Sequence, residues 1–273
     1  MSYVRLKHTL AEIALDAIAH PGSAPTPALL LAYARMSRRH PSVSSGALAR
    51  AAGVAPVDAA RALLATGLFD GADAAGRIAL SAPFRPFAPY LSRQAARVRV
   101  ALRLLGSFHS LAVPVEIRRA AALFNAGLYF ECHEYLEDIW RASAGPERAF
   151  YHGLVQAAAG LYHFEKGNVH GTQILLGKAI AKLEPYAPAY REVDVAALLT
   201  GLRGVLSRLN GASAAKVLDR TALPALSLVA SARPRRGGVR ASASPPVPGG
   251  TPVPGREAAG ARQNVRRGRR PRR

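Results

Sequence analysis

The chain has 273 residues, of which 49% are hydrophobic, and a formal net charge of +20 at pH 7. This length suits one large domain or two small ones. No run approaches the ~18 apolar residues of a membrane span. The single cysteine, Cys132, excludes an intramolecular disulfide framework and a cysteine-based zinc site. Acidic residues interrupt the first apolar stretch, so we expect no signal peptide, no membrane contact and a cytosolic protein.

The positive charge is concentrated in the first and last parts of the chain. Residues 1–114 hold 13 basic and 5 acidic side chains, residues 115–225 hold 12 and 11, and residues 226–273 hold 12 and 1. We therefore expect any contact with a polyanion or an acidic partner in the first or the last part. Arginine outnumbers lysine 32 to 5, a bias that a GC-rich gene also produces, so arginine content alone does not indicate nucleic-acid binding.

These shifts in composition predict three regions. Residues 1–114 are expected to form short helices separated by prolines, in a winged helix-turn-helix-like domain. Residues 115–225 are expected to form an uninterrupted helical domain. Residues 226–273 are predicted to be a disordered tail rich in Arg, Pro and Gly, because they offer too little apolar surface to offset the entropy of ordering.

A helix-turn-helix pattern lies in the stretch VSSGALARAAGVAPVDAARALLATGLFD, residues 43–70. One helix ends at Gly53, which can adopt the left-handed conformation of the turn, and a second helix follows. The later stretch GRIALS, residues 76–81, is compatible with a small β wing. The whole resembles a winged helix-turn-helix.

The second helix of this pattern would be the DNA-reading helix. Its first turns offer Val57, Asp58 and Arg61, whereas base reading usually uses Arg, Lys, Asn or Gln. A role in protein contact or in packing is therefore at least as well supported as sequence-specific DNA binding. The arginines that could contact nucleic acid are Arg50, Arg61, Arg93 and Arg97. Arg93 and Arg97 lie one helical turn apart and form either a phosphate-contacting stripe or a solvated helix face.

Glycines and prolines divide the central region into helices joined by short connections. We predict helices over about 115–126, 129–142, 146–166, 169–186 and 191–209. Short connections imply antiparallel neighbours. The fold predicted for this region is an all-α array of helical hairpins, similar to a tetratricopeptide array.

The stretch GLYFECHEYLEDIWR, residues 127–141, carries an unusual polar cluster in the order H-E-x-x-E-x-x-W. At 100° per residue, His133 and Glu137 border the apolar face beside Trp140. Glu134 takes an intermediate position. Glu131 and Asp138 fall on the opposite side, where we expect them to point into water.

The following helix supplies a possible partner for this cluster. His152, Gln156 and His163 share one polar stripe, because they are spaced by four and seven residues. If the two polar edges face each other, His133, Glu137, Gln156 and His163 converge between the helices.

Three interpretations of this convergence remain open. It can be a hydrogen-bond network that holds the helices together, since a buried carboxylate needs a partner. It can be a divalent-metal site with His133, Glu137 and His163 as ligands and Glu134 as general base. It can also be a small-ligand or peptide pocket, with Trp140 as part of its apolar wall.

The combined pattern resembles a known bacterial and archaeal family, the domain of unknown function 309. The resemblance covers about residues 117–185. The positions that match are His133, Glu134, Glu137, Trp140, Gln156, Tyr162, His163, Gly167 and Asn168. It implies a compact helical fold with a polar cluster on the motif helix, and it implies no activity.

Two functions are therefore carried forward. The first is a non-enzymatic binding or regulatory module, whose basic regions contact nucleic acid or a protein partner. The second is a metal-dependent hydrolase that uses the cluster of His133, Glu137 and His163.

Overall fold

A computed structural model of the protein describes residues 1–38, 40–71, 73, 75–211 and 223–229, without the side chains of residues 210 and 211. Within these ranges the chain is mainly helical, which confirms the all-α class. Most of the predicted basic tail, residues 230–273, lies outside the described residues. The disorder expected for residues 230–273 therefore stays a prediction.

The described part of the chain contains ten α-helices and five short strands. The helices are α1 Ser2–Ala19, α2 Thr26–Met36, α3 Ser45–Ala52, α4 Pro56–Ala65, α5 Ala88–Ser107, α6 Val115–Asn125, α7 Tyr129–Ala142, α8 Gly145–Glu165, α9 Val169–Leu183 and α10 Val195–Gly211. The strands are β1 Ser42–Ser44, β2 Phe69–Asp70, β3 Arg77–Leu80, β4 Ala189–Tyr190 and β5 Val193–Asp194. None of the described helices has the length and apolar character needed to cross a bilayer.

The N-terminal region combines three helices with a small antiparallel sheet. Helix α2 is followed by β1, by the helix pair α3 and α4, and then by β2 and β3. The strands lie in the order β1-β3-β2, with Val43 opposite Ile78 and Phe69 opposite Leu80. Gly53 ends α3 with a φ of 71°, as predicted from the turn that its sequence required.

The central helices form antiparallel pairs, and α8 packs against both α7 and α9. Small residues allow the close approach of α9. A Cβ atom at Gly160 would lie 2.4 Å from Leu176 Cδ2, and one at Gly153 would lie 2.7 Å from Leu183 Cγ. These two glycines therefore set the distance between α8 and α9.

The structure differs from the sequence-based prediction in three places. The first residues of the predicted disordered tail are ordered, and Leu226 is fully buried. Helices α1 and α5, with 18 and 20 residues, are longer than the short helices expected in the first region. The central region is also not purely helical, because strands β4 and β5 form a hairpin before α10. The turn of that hairpin places Arg191 and Glu192 at φ values of 48° and 58°, which a helix cannot accommodate.

Two hydrophobic cores share the long helices α1 and α5. The N-terminal core includes Leu6 of α1 and Leu91 of α5, together with the sheet and helices α2 to α4. The second core includes Ile18 of α1 and Ala101 of α5, together with helices α6 to α10. In each of the two long helices, one half packs into the N-terminal core and the other half packs into the second core.

Candidate functional site

Helix α7 carries the H-E-x-x-E-x-x-W motif. Gly127, with a φ of 75°, ends the preceding turn, and Tyr129 begins the helix. Cys132 and Leu136 are fully buried in the second core, so the motif side chains project along both flanks of this apolar seam. Burial also raises the pKa of the Cys132 thiol, which argues against a nucleophilic role for this residue.

His133, Glu134 and Glu137 form one partly exposed group on α7. Nδ1 of His133 lies 3.2 Å from Glu134 Oε1, and Nε2 lies 3.9 Å from Glu137 Oε2. The other carboxylate oxygen of Glu137 accepts a hydrogen bond of 2.7 Å from Arg141 Nη2. The imidazole thus lies between two carboxylates, one facing each of its nitrogens.

This group has the composition of a divalent-metal site. Its three members each offer a ligand atom, and these atoms lie within 4.8 Å of one another. Ligand atoms around one ion approach that ion to about 2.0–2.2 Å, so the three side chains would have to draw together to hold a metal. One imidazole nitrogen would bind the metal. The carboxylate that faces the other nitrogen would have to turn towards the metal.

The structure does not bring His163 to this group. His163 Nδ1 lies 2.8 Å from Asn168 Nδ2, while Asn168 Oδ1 caps α9 by accepting from the N–H of Gly171. A Cβ atom at Gly171 would lie 2.6 Å from His163 Nδ1, so the imidazole packs against the start of α9. The predicted set of His133, Glu137 and His163 is therefore replaced by His133, Glu134 and Glu137.

Gln156 lies on the side of α8 that faces α7. Phe130 packs against Tyr162 and Trp140 against His152, so α7 and α8 run antiparallel. Gln156 is one turn from His152 on the same face, and this turn faces the part of α7 that precedes Trp140. Its Oε1 atom is buried, and among the described residues no donor reaches it. Gln156 thus shares the helix face that carries His152.

Trp140 packs between α7 and α8, and its ring is covered by neighbouring side chains instead of lining an open ligand pocket. Its ring stacks on His152 with centroids 4.3 Å apart and an interplanar angle of 23°. The guanidinium of Arg148 lies 5.1 Å from the ring centroid, and its Nη1 donates to the carbonyls of Trp140, Arg141 and Ser143. Burial and the nearby cations lower the pKa of His152, which favours the neutral ring in this stack.

Glu131 lies in a second polar site that the sequence analysis missed. It was expected to point into water, but it is only 1% exposed, whereas Asp138, predicted to be exposed, is exposed. The contact from α5 is made by a single side chain, which reaches this side of α7. Gln94 of α5 donates a hydrogen bond of 2.7 Å to Glu131 Oε1. Among the described residues, no donor reaches Oε2.

A cavity of about 50 Å³ adjoins this buried carboxyl group. That volume is sufficient for one or two water molecules. Burial raises the pKa of Glu131 to about 7, although the hydrogen bond from Gln94 and the charge of Arg97 act in the opposite direction. Glu131 therefore carries a proton over much of the range below neutrality. A sequence signal existed, because Gln94 interrupts the apolar stripe of α5 formed by Leu91, Ala95 and Val98.

Tyrosine rings and a lysine link α1, α5 and α8 beside this cavity. The ammonium of Lys166 lies 4.8, 5.3 and 5.4 Å from the ring centroids of Tyr3, Tyr90 and Tyr162, and it also bonds the Tyr3 hydroxyl. Burial raises the pKa values of Tyr90 and Tyr162, so both phenols stay protonated. These contacts fasten the first turn of α1 to the motif region.

The four arginines proposed for nucleic-acid contact fall into two classes. Arg50, Arg61 and Arg93 are exposed, and Arg61 pairs with Asp58 at 3.3 Å. Arg97 is 12% exposed, ion-pairs with Glu165 and donates to Gln94. Because its guanidinium is already held by these partners, Arg97 is less available to a phosphate than the three exposed arginines.

Comparison with known proteins finds a family model that matches the segment around the motif. Residues 117–175 match the model of the domain of unknown function DUF309, which confirms the resemblance seen in the motif for this part of the chain. Uncharacterized protein YpuF of Bacillus subtilis strain 168 is 33% identical over 91 residues, covering 32% of this chain and 52% of the relative. An uncharacterized protein of Aquifex aeolicus strain VF5 is 26% identical over 117 residues, covering 42% of this chain and 34% of the relative.

The chain therefore spans about half the length of the first relative and about a third of the second. No solved structure matches the chain. The comparisons consequently identify the helical segment around the motif and assign it no activity.

Proposed function

We propose that the protein is a non-enzymatic binding module whose N-terminal region is of the winged-helix type and contacts nucleic acid. The observation that carries the proposal is the order of elements from α2 to β3, with a sheet in the order β1-β3-β2 behind the helix pair α3 and α4. In helix-turn-helix proteins the second helix of such a pair is the one presented to DNA.

The surface of α4 favours contact with the phosphate backbone over reading of bases. Its exposed face carries Val57, 61% exposed, and the pair formed by Asp58 and Arg61. None of these offers the free amide or unpaired guanidinium that bidentate recognition of a base requires. Exposed arginines in a region with 13 basic and 5 acidic side chains instead supply sequence-independent attraction to phosphates.

The salt dependence of duplex DNA binding tests this function on the full chain. The logarithm of the binding constant should fall linearly with the logarithm of salt concentration. Replacing Arg50, Arg61 and Arg93 together by alanine should reduce the slope by about 0.9 for each phosphate that the variant no longer neutralises, or by up to roughly 2.7. The control is Arg203→Ala, which removes an exposed arginine from α10.

Every variant keeps the basic tail. A change in the salt slope of the triple variant therefore reports the contribution of the N-terminal region and not that of the tail. An unchanged slope in the triple variant would contradict nucleic-acid contact by this region. A reduced slope in both the triple variant and Arg203→Ala would indicate only a general effect of charge. A protein partner would then be the remaining function for the exposed face of α4.

A second candidate function is a divalent-metal site at His133, Glu134 and Glu137, as in a metal-dependent hydrolase. The observation that favours it is the convergence of three ligand atoms within 4.8 Å. A bound divalent ion would polarise a substrate oxygen or supply hydroxide near neutral pH. In this arrangement Glu134 would be a ligand, and its predicted role as general base would pass to water or to another group.

Metal content measured on the full chain tests this second function. Protein purified without an affinity metal should contain about one equivalent of a divalent ion, and His133→Ala should contain none. His170→Ala, which removes an exposed histidine from α9, is the matched control and should keep the metal. Equal low occupancy in all three proteins would leave the cluster as a hydrogen-bond network on the surface of α7.

A further inference from the structure

An extended segment near the end of the described chain is bound in a groove of the helical region. Residues 223–229 follow α10 in sequence after eleven residues that lie outside the described part of the chain. Alternate side chains of this segment are buried, namely Pro224 and Leu226, whereas Ala225 and Ser227 are exposed. This alternation is that of an extended strand lying on a surface with one face down.

The groove holds the segment mainly through its backbone. Asn125, at the end of α6, donates from Nδ2 to the Leu226 carbonyl at 3.1 Å and accepts from the Leu226 N–H at 2.7 Å. The edge of the β4–β5 hairpin adds two bonds: the N–H of Asp194 donates to the Ser227 carbonyl, and the N–H of Val229 donates to the Glu192 carbonyl. Addition of an extended peptide to an exposed sheet edge is a common mode of peptide recognition.

Two features of the groove fit the buried side chains. Leu226 is fully buried in the second core. Pro224 lies against Gly201 of α10, where an added Cβ atom would stand 2.6 Å from Pro224 Cβ and 3.0 Å from its Cα. A glycine inside a helix costs about 1 kcal/mol relative to alanine. Gly201 is explained at this position because the absence of a side chain leaves room for Pro224.

The groove is also held in shape by contacts that do not involve the segment. Arg191, in the tight turn of the hairpin, ion-pairs with Glu116 at 2.6 Å and with Glu147 at 2.5 Å. The hairpin is thereby fixed to α6 and α8. Asn125 and Gly201 belong to helices whose positions the second core determines. Contacts of this kind lower the entropy cost of binding a peptide, because less of the site has to fold around it.

We propose that this groove is a peptide-recognition site, that residues 223–229 occupy it as a ligand in cis, and that the same segment of a second copy of the chain can occupy it in trans. The site takes an extended peptide with proline at one position and leucine two residues later. A second copy is a matching partner because it carries the same segment. This inference is independent of the proposed nucleic-acid contact.

Concentration decides between the two modes of occupancy. A short connection gives a tethered ligand an effective concentration in about the millimolar range. The segment of another chain at micromolar concentration therefore replaces it only when binding in cis is weakened. This is the usual condition for exchange of an element between copies.

Complementation between two full-length variants tests the proposal. One copy carries a blocked groove, Asn125→Ala with Gly201→Ala, and keeps an intact segment. The other copy carries Leu226→Asp, which disables its segment and leaves its groove intact. Each variant alone should sediment as a monomer, and an equimolar mixture should contain a one-to-one dimer.

Matched controls identify the contact responsible. Gly204→Ala in place of Gly201→Ala adds a methyl group to the same helix where nothing lies within 4 Å, so Asn125→Ala with Gly204→Ala should leave the Pro224 site open. The segment of that copy should then compete for its own groove, and its mixture with Leu226→Asp should yield less dimer. Monomers in every mixture of folded variants would overturn the proposal.

A second measurement covers the case in which Leu226→Asp fails to fold. A protease site is placed within residues 212–222 of the otherwise natural chain and cleaved after folding. We expect the C-terminal piece to remain bound and to be released by an excess of the synthetic peptide LPALSLV, but not by LPADSLV, which changes Leu226. Retention that no peptide reverses, or unfolding of the protein upon cleavage, would show an integral strand instead of a ligand and would sink the idea.

Discussion

Helix α7 carries carboxylates on two sides, and the protein gives them opposite environments. On one side Glu134 and Glu137 remain 41% and 24% exposed, beside His133 and Arg141. On the other side Glu131 is 1% exposed, and burial raises its pKa to about 7. These residues come from one short stretch of sequence. The chemistry of a carboxyl group is therefore determined by what the tertiary structure places against it.

The largest difference is expected between the mostly buried ion pair near Glu131 and an exposed ion pair elsewhere on the protein. Arg97→Ala removes the mostly buried guanidinium that pairs with Glu165 and donates to Gln94, and it should lower the free energy of unfolding by about 3 kcal/mol. Arg203→Ala breaks the pair with Glu184, whose partners are 52% and 54% exposed, and should cost less than about 1 kcal/mol. Urea unfolding of both variants measures the contrast, and equal costs would contradict it.

The pH dependence of stability should separate Glu131 from Glu137. A carboxyl group whose pKa rises from 4.5 to about 7 upon folding stabilises the fold fully below pH 4.5, and this contribution is lost as the pH rises through 7. The loss should be on the order of 3 kcal/mol. Glu131→Gln should flatten the profile between pH 4.5 and 8, whereas Glu137→Gln should retain the slope. Thermal or urea unfolding across this range is the measurement.

Trp140 tests how firmly the hairpin of α7 and α8 is closed near the exposed cluster. Trp140→Ala removes the stack on His152 and the contact with Arg148, and should destabilise the protein by about 2 kcal/mol, since the ring is only partly buried. Trp140 is the only tryptophan in the sequence, so the variant has no tryptophan fluorescence to follow. Helix content measured by circular dichroism should therefore be used to follow the urea unfolding of both proteins. A cost below about 0.5 kcal/mol would show that the stack does not hold the hairpin.

The smallest effect is expected at the exposed cluster itself. His133→Ala should change the free energy of unfolding by no more than about 0.5 kcal/mol in the absence of metal, because its side chain is partly solvated. A destabilisation of about 2 kcal/mol or more without metal would move His133 into the same class as Glu131. The comparison between the two sides of α7 would then fail.

Much of the helical framework follows from local sequence. The predicted helix over 129–142 agrees with α7, and Gly53 ends its helix in the left-handed conformation as predicted. These features depend on turn residues and on one apolar stripe, both of which are visible in a short window. The β4–β5 hairpin was missed because strands of two residues have no periodicity to detect.

The candidate site was predictable only in part. The pairing of His133 with Glu137 follows from their spacing of four residues on one helix. His163 was wrongly grouped with them because it shares a stripe with Gln156 over seven residues, although its ring turns towards α9. Glu131 was wrongly predicted to be exposed, because a helical-wheel projection of one helix assumes that only one face of that helix is buried. The partner of Glu131, Gln94, belongs to α5, a helix that begins more than 40 residues earlier in the chain.

The shared helices α1 and α5 have a consequence for how the protein unfolds. Each contributes to both hydrophobic cores, so neither core can lose its packing without disturbing two helices that the other core needs. We therefore expect a single cooperative transition for the residues from α1 to α10. A fragment beginning at Val115 would lack Gln94 and Arg97, leaving the Glu131 side of α7 in water. The stretch that matches the family, residues 117–175, is therefore shorter than the cooperative unit that we expect.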